Sequence, residues 1–382
     1  MFGFFKDNTI DQIYTFETLQ KFAFSLIGIF IPIYIASEGY PLSWVLGFIL
    51  ILVLTFTIIS VPISYIISKT GFKHSLILSY FFYLPAFILL KILEISIELL
   101  VTVAVLMAFG KALHWLSLHS EFAIDTEEST RDKAAGRLLG LPGLSKAVAP
   151  ALGGIIMIRW GFDVLVTLTI LITLISIIPL FASKDHRDPM GYRFASMINK
   201  KHVTFASLFI LRGFLIAAGY YIFPLYVYYL VGGTINSGGV LSMAGFGSVV
   251  FALLIGRVTG KVERKHMVMI GSISSCILFV LRTYVGDPFE AFLISFLAGL
   301  MVMVYYIPLY SKIAEWAKDE DVLEFYAFRE VFIGIGKVSI VLSSMIFAFY
   351  YSMSIGFKMT FYIASIAALL IAFYSKWIER TD

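Results

Sequence analysis

The sequence predicts an all-α membrane protein with twelve transmembrane helices, arranged as two six-helix bundles that are related by a parallel pseudo-two-fold repeat. Its composition, an internal duplication and an uneven distribution of positive charge support this prediction. Hydrophobic residues make up 59% of the 382 residues and charged residues 14%, whereas a soluble domain carries about a quarter charged residues. The mean hydropathy is +0.90, and the apolar runs have about the 20 residues that a helix needs to cross the hydrocarbon core. The chain is therefore predicted to lie in a lipid bilayer.

The same pattern occurs twice in the chain, offset by 191 residues, which is half of the length of 382. Such a repeat is sought first because it decides the architecture. Each copy contains an even number of predicted spans, so both copies enter the membrane from the same side and are related by an axis along the membrane normal. The aligned pairs include Lys21 with Arg212, Gly28 with Gly219, His114 with Tyr305, His119 with Tyr310, and Lys146 with Lys337.

The predicted spans form two groups of six, separated by a charged connector. The connector, residues 183–202, contains Pro189 and is predicted to be a cytoplasmic linker between an amino-terminal bundle, 1–182, and a carboxy-terminal bundle, 203–382. The first span is too long, and its flank too acidic, for a cleaved signal peptide. The predicted spans are 14–36, 43–66, 74–93, 97–122, 137–158, 162–182, 203–231, 238–260, 266–285, 289–313, 328–351 and 357–377.

Lysine and arginine predict the orientation. With both termini in the cytoplasm, the inner segments hold 20 of the 29 Lys and Arg residues, and the outer loops hold only Lys91, Arg159, Arg282 and Lys358. Positive charge is retained on the cytoplasmic side of a membrane. The asymmetry therefore predicts a multi-pass protein of the plasma or inner cell membrane with both termini cytoplasmic.

Two motifs relate the chain to a known family. The loop after the second span reads Ser64-Tyr-Ile-Ile-Ser68-Lys69-Thr-Gly71-Phe-Lys73-His74, and the fifth span contains Ala149-Pro150-Ala-Leu-Gly153-Gly154. The loop resembles the Gly-x-x-x-Asp-Arg-x-Gly-x-Arg-Arg/Lys signature of the major facilitator superfamily. The second motif is similar to the Gly-Pro-x-x-Gly-Gly run of its efflux-type members, and the segment from Arg131 to Gly140 is similar to the usual entry into that helix. Together with the repeat, the resemblance covers nearly the whole chain.

The resemblance implies a secondary transporter that works by alternating access, and it assigns a gating role to the two motifs. In the family the acidic residue of the signature helps to latch the halves together on the cytoplasmic side. Ser68 stands at that position here, and Gly260 in the weaker second copy, so the latch must differ. Its candidate replacements are Glu121, Glu315 and Glu330. Close helix packing is the alternative role for the small residues. The predicted gating residues are Ser64, Ser68, Lys69, Gly71, Lys73, Pro150, Gly153 and Gly154.

Five cationic side chains fall within predicted spans, where acidic residues occur only at the edges, at Glu17 and Glu121. A charge at the centre of a membrane helix costs at least about 2.5–3.5 kcal/mol on insertion scales, which indicates a function. In the fold that the resemblance implies, helices three, six, nine and twelve lie outside, and all five cations fall on the other eight helices, which line a central cavity. For Lys21 and Arg212, snorkelling toward water is the alternative. The five are Lys21, Lys111, Lys146, Arg212 and Lys337.

These cations predict a binding site in the cavity. Lys111, His114 and Trp115 share one helical face, which predicts a more basic amino-terminal wall, and Lys146 is expected to face Lys337 across the cavity. The tyrosines are weaker candidates because the chain contains 21 Tyr and 36 Phe. The predicted substrate-binding residues are Lys21, Lys111, His114, Trp115, Lys146, Arg212, Tyr221, Tyr306 and Lys337.

A basic vestibule attracts anions, so the predicted substrate is a small organic anion or an amphiphile with an anionic head. Proton-coupled efflux of lipophilic drugs is the first alternative, which the motif at Pro150 favours and the scarcity of mid-membrane carboxylates disfavours. The second alternative is a non-transporting receptor or scaffold. An enzyme is the least favoured class. No cofactor, metal or nucleic-acid partner is predicted, and Cys276, the single cysteine, excludes an intrachain disulfide. A proton is the candidate coupling ion.

Overall fold

The computed structural model describes residues 8–92, 94–125, 131–182, 192, 194, 202–258 and 262–377, with the side chains of 8–14, 125, 131–142, 255–258 and 377 left aside. These residues are helical almost throughout. The helices are α1 (Asn8–Ile27), α2 (Phe30–Ser37), α3 (Leu42–Thr70), α4 (Phe72–Ile92), α5 (Ile97–Asp125), α6 (Arg131–Trp160), α7 (Phe162–Ser176), α8 (Ile178–Ala182), α9 (Val203–Ala217), α10 (Phe223–Val227), α11 (Gly233–Val258), α12 (Arg264–Arg282), α13 (Pro288–Lys318), α14 (Val322–Tyr350) and α15 (Met353–Tyr374).

The predicted multi-pass membrane class is confirmed. Ten segments of the described chain are long and apolar enough to cross a bilayer. One of them, Val203–Leu254, has 52 residues and is interrupted at Gly233, whose φ of 73° ends one helix and begins the next. The 30-residue helix α6 also has the length of a span. The count of twelve spans and the pseudo-two-fold repeat stay predictions, with which this division agrees.

Some predicted spans are broken or shifted. The first bends between α1 and α2, and the sixth between α7 and α8, where Pro179 cannot donate a backbone hydrogen bond. The seventh contains two π-helical turns, Ala218–Ile222 and Tyr228–Gly232, on either side of α10. Helix α14 begins at Val322, six residues before the predicted span. Its first turns are polar, so a span predicted from apolar residues does not include them. Arg329 and Glu330, in the first turn of the predicted span, therefore lie about two turns inside the helix.

Small residues let the two halves approach closely along two pairs of helices. Where α11 crosses α6, a Cβ atom added to Gly245 would lie only 2.5 Å from the backbone nitrogen of Ala147. Where α14 crosses α3, a Cβ atom on Gly334 would lie 2.0 Å from Thr57 Oγ1. Glycine is required at both crossings because any side chain would force the helices apart. These two seams flank the cavity described next.

Candidate functional site: a cationic cavity between the two halves

A cavity of about 460 Å³ lies between the two halves, within the usual range for small-molecule sites. The structure brings together in its wall every substrate-binding residue that the sequence predicts. Helices α4 and α12 also reach it, through residues such as Tyr83 and Arg282. This corrects the expectation that the third and ninth spans lie wholly outside. The predicted residues in the wall are Lys21, Lys111, His114, Trp115, Lys146, Arg212, Tyr221, Tyr306 and Lys337.

Glu17 organises the charges on the first-half wall. Lys21 Nζ lies 3.1 Å from Glu17 Oε1 and 3.9 Å from the centroid of the Trp115 ring. His114 Nε2 lies 3.1 Å from the other carboxylate oxygen. The sequence placed Glu17 at the edge of a span, but α1 begins at Asn8, so Glu17 is about 13 Å along the helix and only 2% exposed. A buried carboxylate is therefore present, which sequence reasoning missed.

The second-half wall carries four cations. The Arg212 guanidinium lies 3.8 Å from the centroid of the Tyr306 ring, and Lys337 Nζ lies 5.3 Å from that of Phe56, on α3. Arg329 forms an ion pair with Glu330, one of the candidate latch acids, and both are buried and line the cavity. With Arg282 as the fourth cation, the second half is no less basic than the first, so the prediction of a more basic amino-terminal wall is wrong.

Lys111 and Lys146 are bare ammonium groups in the cavity wall. Neither forms a hydrogen bond or an ion pair with a described residue, and both line the cavity. Lys146 is subject to the charges of Lys21 and Glu17, whereas the charges that act on Lys337 include Lys111. Lys111 is thus the lysine of the first half whose charge acts on Lys337. Lys146 and Lys337 share the cavity, but their expected pairing face to face stays a prediction.

Positive charge dominates the cavity as a whole. Seven cationic side chains and two carboxylates line it, an excess of five positive charges. Several buried polar atoms in the wall have no hydrogen-bond partner among the described residues, including both side-chain atoms of Gln20 and two nitrogens of Arg212. Buried polar groups are normally paired, and unpaired ones need an explanation. The cationic side chains are Lys21, Lys111, Lys146, Arg212, Arg282, Arg329 and Lys337.

Aromatic contacts join the two halves near the carboxy-terminal ends of α5 and α13. The Nδ1 atom of His119 lies 2.7 Å from the hydroxyl oxygen of Tyr310, and the rings of Phe122 and Tyr310 are 5.1 Å apart. The His119 ring also stacks on Tyr326, at 5.7 Å. His119 and Tyr310 are equivalent positions in the sequence repeat, and equivalent residues touch only where they lie close to the symmetry axis. We call these four residues the aromatic gate.

The first gating motif lies beside this gate. The Ser64 hydroxyl lies 2.5 Å from the hydroxyl of Tyr192, a residue of the predicted linker. The Ser68 hydroxyl donates to the Tyr65 carbonyl of its own helix, and Lys69 Nζ is 5.5 Å from the Tyr65 ring centroid. Gly71, at φ 80°, ends α3. Lys73 lies in the first turn of α4. Ser68 thus makes no charged latch.

The second motif is a packing surface. Pro150 lines the cavity and contacts α11, because a Cβ atom on Gly238 would lie 2.3 Å from its carbonyl oxygen. Gly153 packs on α1, and Gly154 lies against the backbone of α11 near Thr234. The small residues therefore serve close packing in this structure. A gating role for them stays a prediction.

The candidate latch acids have different environments. Glu315 pairs with Arg264, at 2.7 Å, and with Lys312, at 3.0 Å. All three residues belong to the second half, so the described part of this network lies within one half. Glu121 is buried near the linker end of α5. Gly260 and most of the linker lie outside the described residues, as do the side chains of the segment from 131 to 140.

We expect Tyr310→Phe to weaken the aromatic gate. The substitution keeps the ring but leaves the buried His119 nitrogen unpaired, which costs about 1–3 kcal/mol. The melting temperature of the purified protein should fall, and hydrogen exchange in α5 and α13 should rise near the gate. Tyr351→Phe, at an exposed tyrosine, is the control and should change neither. Equal behaviour of the two variants would show that the hydrogen bond does not hold the gate.

Within the part of the chain that the structure describes, no group of three or more His, Cys, Asp or Glu side chains is placed to hold a metal ion. The imidazoles of the cavity have other neighbours. His114 lies beside Glu17, and His119 belongs to the aromatic gate. The cavity thus offers ammonium, guanidinium, amide and phenol groups to a ligand.

Comparison with known proteins identifies the fold and a family match. The sequence pattern of the Major Facilitator Superfamily matches residues 208–382, which lie in the carboxy-terminal half, so the predicted resemblance is confirmed. A search of curated protein sequences gives no significant match. Solved structures of major facilitator transporters share the fold over nearly the whole chain.

Three of these structures illustrate the similarity. The transporter FucP in its outward conformation has a TM-score of 0.69 at 13% identity, covering 98% of this chain and 100% of its own. A variant of the E. coli fucose:proton symporter FucP has a TM-score of 0.70 at 12% identity, with the same coverage. The human organic anion transporter MFSD10 (TETRAN) has a TM-score of 0.70 at 11% identity, covering 96% and 99%. At these identities the likeness concerns the fold.

Proposed function

We propose that this protein is a secondary transporter that carries a small organic anion, or an amphiphile with an anionic head, by alternating access. The observation that carries the proposal is the excess of five positive charges in the wall of the cavity. Holding such charges inside a membrane is costly, and a low-dielectric cleft lined by one sign of charge concentrates ligands of the other. The organic anion transporter among the similar structures agrees with this substrate class.

The anion would bind where the unpaired donors converge. Lys111 and Lys146 offer ammonium groups that have no partner in the described part of the chain, and Arg212 offers two guanidinium nitrogens that are likewise unpaired there. Gln20 adds an amide that no described residue satisfies. Charge-assisted hydrogen bonds to such groups are the strong ones. Aromatic side chains of the wall, including Phe24 and Phe87, would receive the apolar part of the ligand.

Transport would follow from rocking the two halves about the bound anion. The aromatic gate would close the linker side, and the close crossings of α6 with α11 and of α3 with α14 act as the surfaces that reorganise. In this proposal the chain has twelve spans, divided between bundles at 1–182 and 203–382, and lies in the plasma or inner cell membrane with both termini cytoplasmic.

A proton is the candidate coupling ion, whose movement across the membrane would drive transport of the anion. The buried carboxylate of Glu17 lies within hydrogen-bonding distance of both Lys21 and His114. Groups of this kind exchange protons when a neighbouring charge arrives or leaves. An anion near Lys21 would weaken the attraction between that lysine and Glu17, so that anion binding and protonation of Glu17 become linked. This observation favours coupling to a proton in symport with the anion.

A thermal-shift screen tests the proposal. Ligands that bind only the folded protein raise its melting temperature. We expect carboxylates, sulfonates or phosphate esters to stabilise the purified protein, and matched neutral alcohols and amines to leave it unchanged. Stabilisation by lipophilic cations alone would contradict the proposal and favour drug efflux. Stabilisation by neutral sugars alone would contradict it as well.

We expect Glu17→Gln to act in opposite directions on stability and on binding. Removing one partner of a buried ion pair costs about 3–5 kcal/mol, so the melting temperature should fall. The cavity becomes more positive, so anion affinity should rise, and a pH gradient should no longer drive anion uptake into proteoliposomes. Glu38→Gln, in the exposed turn after α2, is the control. Unchanged anion affinity in Glu17→Gln would place the carboxylate outside the binding site.

A further inference from the structure

Arg282 is a buried cation that the proposed mechanism has not used. It is the last residue of α12 and was predicted to lie in an outer loop, yet its side chain is only 5% exposed and lines the cavity. Its guanidinium lies between two aromatic rings, 4.5 Å from the centroid of Phe223 and 4.6 Å from that of Phe279. It forms no hydrogen bond or ion pair with a described residue, and its Nε and Nη1 atoms are buried without partners.

The two rings do not satisfy the hydrogen-bond donors of this guanidinium. Aromatic rings stabilise a cation through their faces, whereas the N–H donors of arginine radiate in the plane of the group. The neighbour on one side is Gly219, where an added Cβ atom would lie 3.4 Å from Arg282 Nη1. Gly219 lies in the π-helical turn Ala218–Ile222 and leaves room beside the donors. The site therefore has room for an acceptor that no described residue supplies.

One face of the seventh span connects Arg282 with the main cationic cluster. Arg212 precedes Gly219 by seven residues, two helical turns, so Arg212 and the glycine that borders Arg282 are about 10 Å apart along the helix. Leu215 and Ile216 occupy the same face between them, and both line the cavity. The arrangement along this face is a cation, an apolar stretch of two turns and a second cation.

We propose that Arg282 forms a second anion subsite and that the cavity selects elongated dianions, with an acid group at each end of an apolar chain. One acid group binds to Arg212 and its neighbouring lysines, the chain lies on Leu215 and Ile216, and the second acid group binds to Arg282. The inference rests on the proposed function and narrows its substrate class. Each guanidinium offers a planar fork of donors that fits a carboxylate bidentately.

Binding of two series of acids to the purified protein tests this inference. We expect suberate and sebacate to bind at least about tenfold more tightly than succinate, and than the monoacid octanoate, because only a long diacid reaches both arginines. Arg282→Met should remove that advantage and leave octanoate binding within about twofold. Arg282→Lys, which keeps the charge but not the fork, should retain part of the advantage and is the variant to use if the methionine variant does not fold.

The outcomes separate this inference from the proposed function. If acids bind to the wild type but long diacids gain nothing, or if Arg282→Met weakens monoacids and diacids equally, the dianion subsite is refuted and the anion transporter stands. If no acid binds to the wild type while neutral or cationic ligands do, both proposals fall. Lys91→Met, at an exposed lysine at the end of α4, is the control for loss of a positive charge outside the cavity.

Discussion

Lys146→Met is expected to abolish anion transport in proteoliposomes while the protein still folds. The methionine keeps the length and bulk of the side chain and removes its charge. Lys146 lines the cavity, where its side chain is exposed, and it has no partner among the described residues, so the substitution breaks no ion pair there. Loss of one charge-assisted bond to the anion costs about 1.5–3 kcal/mol, or about 10- to 100-fold in affinity.

Two measurements accompany this prediction. The melting temperature of Lys146→Met should stay close to that of the wild type, because the side chain is exposed in the cavity and the substitution removes no interaction with a described residue. Lys91→Met should transport normally, since Lys91 is exposed and hydrogen-bonded to Thr167 at the protein surface. Normal anion transport by Lys146→Met would remove this lysine from the site and leave it a side chain that merely reaches toward water.

Gly153→Ala should be the most destabilising single-methyl change in the first half. An added Cβ atom would lie 2.1 Å from the carbonyl oxygen of Leu26 and 2.6 Å from a ring atom of Phe30. The ring can turn, but the carbonyl belongs to the backbone of α1, so α6 must move away from α1. Overpacking of this kind costs about 1–3 kcal/mol or more, and the melting temperature should fall accordingly.

Gly47→Ala is the matched control for that substitution. Gly47 lies within α3, and a Cβ atom added there would have no neighbouring atom within 4 Å. Replacing a helical glycine by alanine in open space is worth up to about 1 kcal/mol of stability. The same chemical change should therefore raise the melting temperature at Gly47 and lower it at Gly153. A rise at both positions would show that α1 and α6 are not in close contact.

The membrane class and the cavity residues could be predicted from the sequence because both depend on what the bilayer excludes. Long apolar runs define spans, and a Lys or Arg within such a run must face protein or water. That argument alone selected Lys111 and Lys146, which line the cavity. The face shared by Lys111, His114 and Trp115 followed from helical periodicity.

Three of the missed residues share one physical cause, which is that helices extend beyond their apolar stretches. Glu17, Arg329 and Glu330 lie in polar turns that hydropathy assigns to the aqueous ends, but α1 begins at Asn8 and α14 at Val322, which moves these side chains into the protein. Arg282 was missed for a different reason. Its burial depends on the rings of Phe223 and Phe279, and the sequence alone does not bring Phe223 and α12 together.

Cross-interface pairing could not be predicted either. The predicted repeat aligns His119 with Tyr310, and these two residues touch at 2.7 Å. The same alignment suggested that Lys146 faces Lys337, yet the first-half lysine whose charge acts on Lys337 is Lys111. A symmetry axis predicts contact only for residues close to it, and distance from the axis is set by the tilt of each helix, which sequence periodicity does not record.

Counterflow in proteoliposomes is the measurement that tests the central claim most directly. Liposomes loaded with an unlabelled organic anion and diluted into a trace of the same labelled anion accumulate the label only if one carrier exposes its site alternately to both sides. The account predicts transient accumulation of the labelled anion by the wild type and none by Lys146→Met. Counterflow of a neutral sugar or a lipophilic cation, with no counterflow of any anion, would contradict it.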